Sequence, residues 1–341
     1  LSGPKVLLIR LSSLGDVVLA TAAVEALAAR LPEAAIHVLT KPEFREVFAS
    51  NPAVAALVEW APGDCLAALA RKLRAERYDR IVDLHANLRT RLLRPLVPGA
   101  RWSVYPKGAL RRRLAVKLRR PGLLDSLHVT ERYAAALAPL GVPVVAGCPR
   151  IHLTDAERSR AHRALREAGW DGARPLLALA PGARWPTKAW PEAKWRECLE
   201  TLRRDRDLFP LAVGGKGEVG LCGRILAGMA GADFAGRTTI RETAALLSHA
   251  AALLTNDSAA LHLASALDVP VVALFGPTTP GFGFAPRGPR DRVIEIALPC
   301  RPCSLHGGSR CPENHFRCFS DLSPDIVAGA VEEVLYGEGR G

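Results

Sequence analysis

Residues 254–280 read LTNDSAALHLASALDVPVVALFGPTTP. The apolar run Ala250–Leu254 predicts a buried strand that stops at a polar tip, Thr255-Asn256-Asp257-Ser258. Helical spacing follows at once, with Leu261, Leu263, Ala264 and Leu267 on one face. Asp257 or Ser258 stands where it can cap that helix and leave its first N–H groups pointing above the strand, a setting that suits an anion. A second strand, Val271–Phe275, runs into Gly276-Pro277-Thr278-Thr279-Pro280 at the same sheet edge. Two strand ends bearing small and hydroxyl residues predict a phosphate and ribose site in an α/β sheet.

The same alternation extends upstream. Strands are expected at Leu176–Ala180, Leu208–Val213 and Ala232–Ala235, with helices at Glu192–Arg204, Glu218–Met229 and Ile240–His249 between them. Thr154-Asp155-Ala156-Glu157 matches a capping box and opens a helix to about Ala168, and a last helix spans Ser323–Tyr336. The first half repeats the plan: KVLLIR at Lys5–Arg10 is a strand, Ser12–Asp16 a glycine turn, and Val17–Leu27 a helix. Further strands are expected at Ile36–Leu39, Ala56–Glu59, Arg80–Leu84 and Arg101–Val104, and a helix at His128–Leu140. Alternation of this kind predicts two Rossmann-like parallel-sheet domains, residues 1–150 and 151–341, facing across a cleft. The second carries a Cys-rich segment, 300–318, before its terminal helix.

Half the residues are apolar and 23% are charged, the balance of a globular protein. No apolar run approaches the ~18 residues a bilayer span needs, and the N-terminus shows no signal-like layout, so a cytosolic location is expected. Of the net charge of +12, all but one unit falls in residues 1–150, densest between Arg101 and Arg120. That field suits an acidic partner. Aromatics make up only 6%, and no nucleic-acid motif accompanies the basic stretch, which argues against base stacking.

Several motifs carry chemistry. Gly215-Lys216-Gly217-Glu218-Val219-Gly220 is a literal G-x-G-x-x-G, but it lies mid-chain, and nucleoside binding with Glu218 on the ribose is a better use than a dinucleotide fingerprint. PGARWPTKAWP at 181–191 puts Arg184 and Lys188 at a strand end, where cations neutralise a diphosphate; the plain alternative is a surface loop. Asp16 at the start of the first helix is either an N-cap or a base for a substrate hydroxyl. Histidines 262, 128 and 85 read as packed as readily as functional. Cys300, Cys303, Cys311 and Cys318, with His306 and His315 between them, read as structural zinc, free thiols, a disulfide or an iron–sulfur centre. No catalysis is assigned to them, since they lie away from the other motifs in sequence.

Together these stretches resemble glycosyltransferase family 9, the bacterial heptosyltransferases of lipopolysaccharide core assembly. The resemblance rests on IRLSSLGDVVLATAAVEAL (9–27), DLHANLRTRLL (83–93), HVTERY (128–133), PGARWPTKAWP (181–191), VGGKGE (213–218) and TNDSAALHLASAL with ALFGPTTP (255–280). It implies a GT-B fold, with acceptor bound by the first domain and nucleotide-sugar donor by the second. It implies inverting transfer of L-glycero-D-manno-heptose from ADP to the inner core without a catalytic cofactor. Asp16 then matches the base and Lys188 the diphosphate lysine. Gly182, Arg184, Thr187, Gly214, Glu218, Asp257, Ser258, Ala259 and His262 fall on the donor side, and Ser13, Asn87, Arg89, Lys107 and Arg112 on the acceptor side. Ala259 stands where the family has glycine, and His85-Ala86 replaces a glutamine-glycine pair. An acidic glycolipid of the Kdo-lipid A type would explain the basic first half, with peripheral contact at the anionic inner face of the inner membrane and no nucleic acid as partner. The alternatives are another nucleotide sugar or acceptor, or a non-catalytic nucleotide-sugar or glycolipid binder.

Overall fold

A computed structural model describes residues 3–125 and 127–337. The chain forms two compact units: Leu1–Gly108 with Leu127–His152, and Ala109–Ser126 with Leu153–Gly341. Thus a segment inside the span read as the first domain belongs to the second unit.

The first unit holds β1 (Lys5–Ile9), α1 (Leu14–Arg30), β2 (Ala35–Thr40), β3 (Val54–Glu59), α2 (Leu66–Ala75), β4 (Arg80–Asp83), α3 (Leu88–Leu96) and β5 (Arg101–Val104). The chain then enters α4 (Ala109–Leu118) of the second unit and returns for α5 (Val129–Leu137). All strands are parallel, in the order β3-β2-β1-β4-β5. Central strands covered on both faces must be apolar throughout, and β1 is buried from Val6 to Ile9. The strand order reverses between β1 and β4, so the loops after these two strands flank a crevice at their C-terminal ends.

The second unit continues with α6 (Asp155–Glu167), β6 (Leu176–Ala180), α7 (Glu192–Asp205), β7 (Phe209–Ala212), α8 (Val219–Leu226), β8 (Ala232–Asp233), α9 (Ile240–Leu247), β9 (Ala252–Asn256), α10 (Ala259–Ser265), β10 (Val271–Phe275), β11 (Arg292–Glu295), α11 (Arg317–Ser320) and α12 (Pro324–Tyr336). Its sheet is also parallel, ordered β11-β10-β9-β6-β7-β8, with the reversal between β6 and β9. Trp190 and Trp195, the latter on α7, meet edge to face in its core with ring centroids 5.6 Å apart, where α7 packs against α12. Both units are therefore doubly wound α/β sheets, as the alternation predicted.

β9 and β11 differ from the expectation in ways that bear on the site. β9 does not stop at Leu254 but runs on through Thr255 and Asn256, both wholly buried, because their side chains are consumed inside the fold. β11, half-buried at the sheet edge, lacks the continuous apolar run that marked the other strands and was not foreseen.

The predicted capping box at 154–157 is present: Thr154 Oγ1 accepts from the Glu157 amide, and the Glu157 carboxylate accepts from the Thr154 amide at 2.8 Å. Glu157 also accepts two bonds from Arg241 of α9, at 2.5 and 2.6 Å. Arg241, helped by the cap bonds, outweighs burial and pulls the Glu157 carboxyl from its ordinary 4.5 down to about 2. A depressed carboxyl pKa stabilises the fold above the unfolded value and stops doing so as pH falls through the folded one. Glu157→Gln should therefore lower the thermal midpoint at pH 7, with the gap from wild type closing as pH drops from about 4.5 toward 2. Calorimetric melts across that range check this, and a pH-independent gap would contradict it.

Candidate active site

In the second unit the crevice is built by three strand ends. Asn256, at the tip of β9, donates to the Pro181 carbonyl at 2.7 Å and accepts from the Trp190 amide at 3.2 Å. Its neighbour Thr255 donates to the Ala180 carbonyl at 3.2 Å. Both ends of the 181–191 loop are thereby tied to β9. Within that loop a short turn, Pro186–Lys188, directs Lys188 Nζ to 2.7 Å from Asp257 Oδ2, and both side chains are mostly shielded from solvent. Thr278, after β10, donates to the same oxygen at 2.7 Å. An ammonium has three donors and Asp257 takes one, so a cation remains presented where open α/β sheets bind anionic ligands.

Glu218 occupies the adjoining strand end. A Cβ on Gly182 would lie 1.6 Å from Glu218 Oε1, and one on Gly214 would lie 2.6 Å from Oε2. The two glycines, after β6 and β7, leave the space this carboxylate fills. Glu218 accepts from the Gly215 amide at 2.6 Å, closing a turn before α8. The G-x-G-x-x-G run thus supplies the carboxylate, and Gly182 and Gly214, which lie outside it, make its seat. Arg184 is exposed on its loop, Ser258 takes the N-cap position of α10, and Ala259 begins that helix. His262 is buried, its ring 6.2 Å from Phe284.

The Cys-rich segment, remote in sequence, lies against this crevice. Thr187 Oγ1 donates to the Gly308 carbonyl at 2.9 Å and accepts from the Gly308 amide at 2.8 Å. Gly307, at φ +95°, lies so close that a Cβ there would come within 2.9 Å of Lys188 Cγ. Arg301, nearly buried, donates to the carbonyls of Gly276 and Thr278 at 2.5 and 2.8 Å and pairs with Glu295 at 2.6 Å. Cys303, Cys311 and Cys318 line one cavity of about 200 Å³, and Cys300 Sγ lies 3.8 Å from His315 Nε2. All four are free thiols, and burial raises those of Cys303 and Cys318, the latter to about 11. Among the described residues no three His, Cys, Asp or Glu side chains gather into a ligand set. The segment also braces the Lys188 loop through the bonds between Thr187 and the Gly308 backbone.

In the first unit, Arg10 leaves β1 almost fully buried. It donates to the Leu84 carbonyl at 2.5 Å and meets Asp16 Oδ1 at 2.7 Å, beneath the rings of Tyr133 and Tyr105. Burial opposes its charge, but Tyr133, Asp16 and Tyr105 together raise its pKa. Asp16 Oδ2 accepts from the Ser13 amide and hydroxyl at 3.2 and 2.9 Å, so the carboxylate is fixed on both oxygens. Across the crevice, buried Asp83 accepts from the His85 and Ala86 amides at 2.9 and 2.7 Å, holding Ala86 at φ +48°. Burial first, then Arg10 and Lys107, lower His85 to about 4, so its imidazole is neutral at pH 7. Lys107 is lowered by burial and by the same Arg10.

The remaining acceptor-side residues are dispersed. Asn87 caps α3, accepting from the Thr90 amide at 3.0 Å, and Arg89 stacks 4.3 Å over Trp60. Arg112 belongs to the second unit, over Phe284 at 5.4 Å. Four residues of these crevices escaped the sequence reading: Asn256, Thr278, Arg10 and Asp83. All four stood inside quoted motifs without being singled out, and Arg10 looked like the polar end of a strand.

Residues 66–311 match the family described as glycosyltransferase family 9 (heptosyltransferase). Lipopolysaccharide heptosyltransferase 1 of Pseudomonas aeruginosa is 29% identical over 97% of this chain and 98% of its own length. Among solved structures, the glycosyl transferase family 9 protein of Veillonella parvula aligns with a TM-score of 0.79 at 22% identity, covering 97% of each chain. The ADP-heptose lipopolysaccharide heptosyltransferase II of E. coli aligns at 0.74 with 24% identity, covering 97% of this chain and 98% of that one. These likenesses establish the fold as two parallel-sheet α/β domains of the GT-B heptosyltransferase type.

Gly182→Ala must displace Glu218 and should lower the urea midpoint, whereas Gly217→Ala, whose Cβ meets open space, should shift it far less. Urea melts compare the two; equal midpoints would contradict the packing of Glu218 against Gly182. Ala86→Gly should raise stability by about 1 kcal/mol by relieving the left-handed backbone, read as a shift in the urea midpoint.

Proposed function

The chain belongs to glycosyltransferase family 9, and from that premise we propose that it transfers L-glycero-D-manno-heptose from its ADP donor to the lipopolysaccharide inner core with inversion. The observation that carries the reading is the meeting of Lys188, Asp257 and Thr278 at the reversal of the second sheet, beside Glu218 over its two glycines. A cation and a carboxylate in that relation suit a nucleoside diphosphate: Lys188 on the phosphates and Glu218 on the ribose hydroxyls.

In this mechanism the acceptor hydroxyl gives its proton to Asp16 as its oxygen attacks the anomeric carbon. The carbon–oxygen bond to the β-phosphate breaks on the opposite face, and its electron pair leaves with ADP. Lys188 and Arg184 stabilise the charge that develops on the leaving phosphate, so the reading needs no cofactor. Arg10 keeps the Asp16 carboxylate oriented, and neutral His85 adds no cation to repel the one that Arg10 carries. The proposed acceptor is an acidic glycolipid of the Kdo-lipid A type, which would bring the enzyme to the inner face of the inner membrane. No described helix is long and apolar enough to cross a membrane, so contact would be peripheral.

The residues named in the second crevice address the diphosphate and ribose rather than the sugar, which favours, as a second reading, the same chemistry with a different sugar. A panel of ADP-sugars against Kdo-lipid A separates the two.

Asp16→Ala should cut transfer by about 10²- to 10⁴-fold while ADP binds as in wild type. An ADP titration and a thermal melt guard against misfolding around the unpaired Arg10. Near wild-type transfer would overturn the base assignment.

A further inference from the structure

The forty-one residues from Leu84 to Leu124 hold eleven Lys and Arg and no Asp or Glu. Two helices lie within that stretch, and they share a pattern. α3 reads LRTRLLRPL and α4 reads LRRRLAVKL, so both are L-R-x-R-L-x-x-x-L. Four-residue spacing puts each set of three leucines in one row along its helix. Thr90 and Leu93 are the buried residues of α3, and Ala115 is that of α4. All six leucines are exposed, Leu88 by 73% and Leu110 by 80%. Single exposed leucines are ordinary; a row of three flanked by arginines, repeated in a second helix, is an amphipathic face turned outward.

We propose that the leucine rows of α3 and α4 are insertion surfaces for an anionic lipid bilayer. Each helix would lie in the headgroup layer with its leucines at the acyl boundary. Arg89 and Arg91 on α3, and Arg111 and Arg113 on α4, are exposed beside the rows and would meet lipid phosphates. The positive charge on each helix selects this occupant: a second copy of either basic helix would be repelled, and an apolar protein groove would leave the arginines without partners. The inference rests on the membrane-borne acceptor proposed above for its setting, and it names the surface through which the enzyme reaches that membrane.

The test is cosedimentation of the full chain with vesicles of phosphatidylcholine alone and of phosphatidylcholine with phosphatidylglycerol, at low and high salt. Wild type should partition to the anionic vesicles and be released by salt. Leu88→Ser with Leu92→Ser, and Leu110→Ser with Leu114→Ser, should each weaken partitioning about ten-fold. Unchanged melting would show that the exposed substitutions leave the fold intact. Transfer to a water-soluble acceptor fragment should be unaffected by either pair, so failure of the surface and failure of the transferase reading are told apart. Absent partitioning of wild type, equal partitioning of the variants, or a wild-type dimer that the serine pairs dissolve would each overturn the proposal.

Discussion

The Asn256 side chain spans the space between β9 and the loop that follows β6, donating to one end of that loop and accepting from the other. It is wholly buried, so no water competes for either bond. A buried amide with satisfied partners adds only modestly to stability, but its loss strands a carbonyl and an N–H at a strand end, at about 1–3 kcal/mol each. Lys188 reaches Asp257 because the loop is held at both ends, and Thr278 can reach the same carboxylate because Arg301 grips the loop after β10. The second crevice is therefore held by polar groups whose purpose is to fix backbone.

The first crevice uses charge for the same end. Arg10 is buried at the tip of β1 and survives there because Asp16, two tyrosine rings and a carbonyl surround it. A buried cation of this kind leaves its surroundings little freedom: it fixes Asp16, and it disfavours a proton on His85 and on Lys107. One interior residue sets the electrostatics of three neighbours. The Asp83 carboxylate plays the matching role on β4, forcing the tight turn that Ala86 completes in a conformation glycine would take more easily.

How much of this was legible follows from what burial does to a sequence. β1, β6 and β10 are covered on both faces and had to be written in unbroken apolar letters, so they were read nearly to the residue. Lys188, Asp257 and Glu218 stood out as charges at strand ends. Asn256 did not, because a polar letter after an apolar run looks like the start of a loop, and only the carbonyl and amide it meets 75 and 66 residues away show that it is interior. In the Cys-rich segment the cysteines drew the attention, while the glycines beside them, Gly307 and Gly308, make the contacts that matter to the crevice, and nothing in their spacing announces this.

Those two glycines have a consequence for how the second unit can vary. The stem of Lys188 rests where Gly307 has no side chain, and Thr187 is paired with the Gly308 backbone in both directions. The loop that carries the lysine and a segment more than a hundred residues downstream are thus one piece of scaffolding. A chimera that took β6 through β10 from one relative and the segment beyond β11 from another would keep every motif residue intact and still misplace its ammonium. For this unit the smallest exchangeable module runs from β6 to the end of the Cys-rich segment, and its length is set by a contact that no single motif contains.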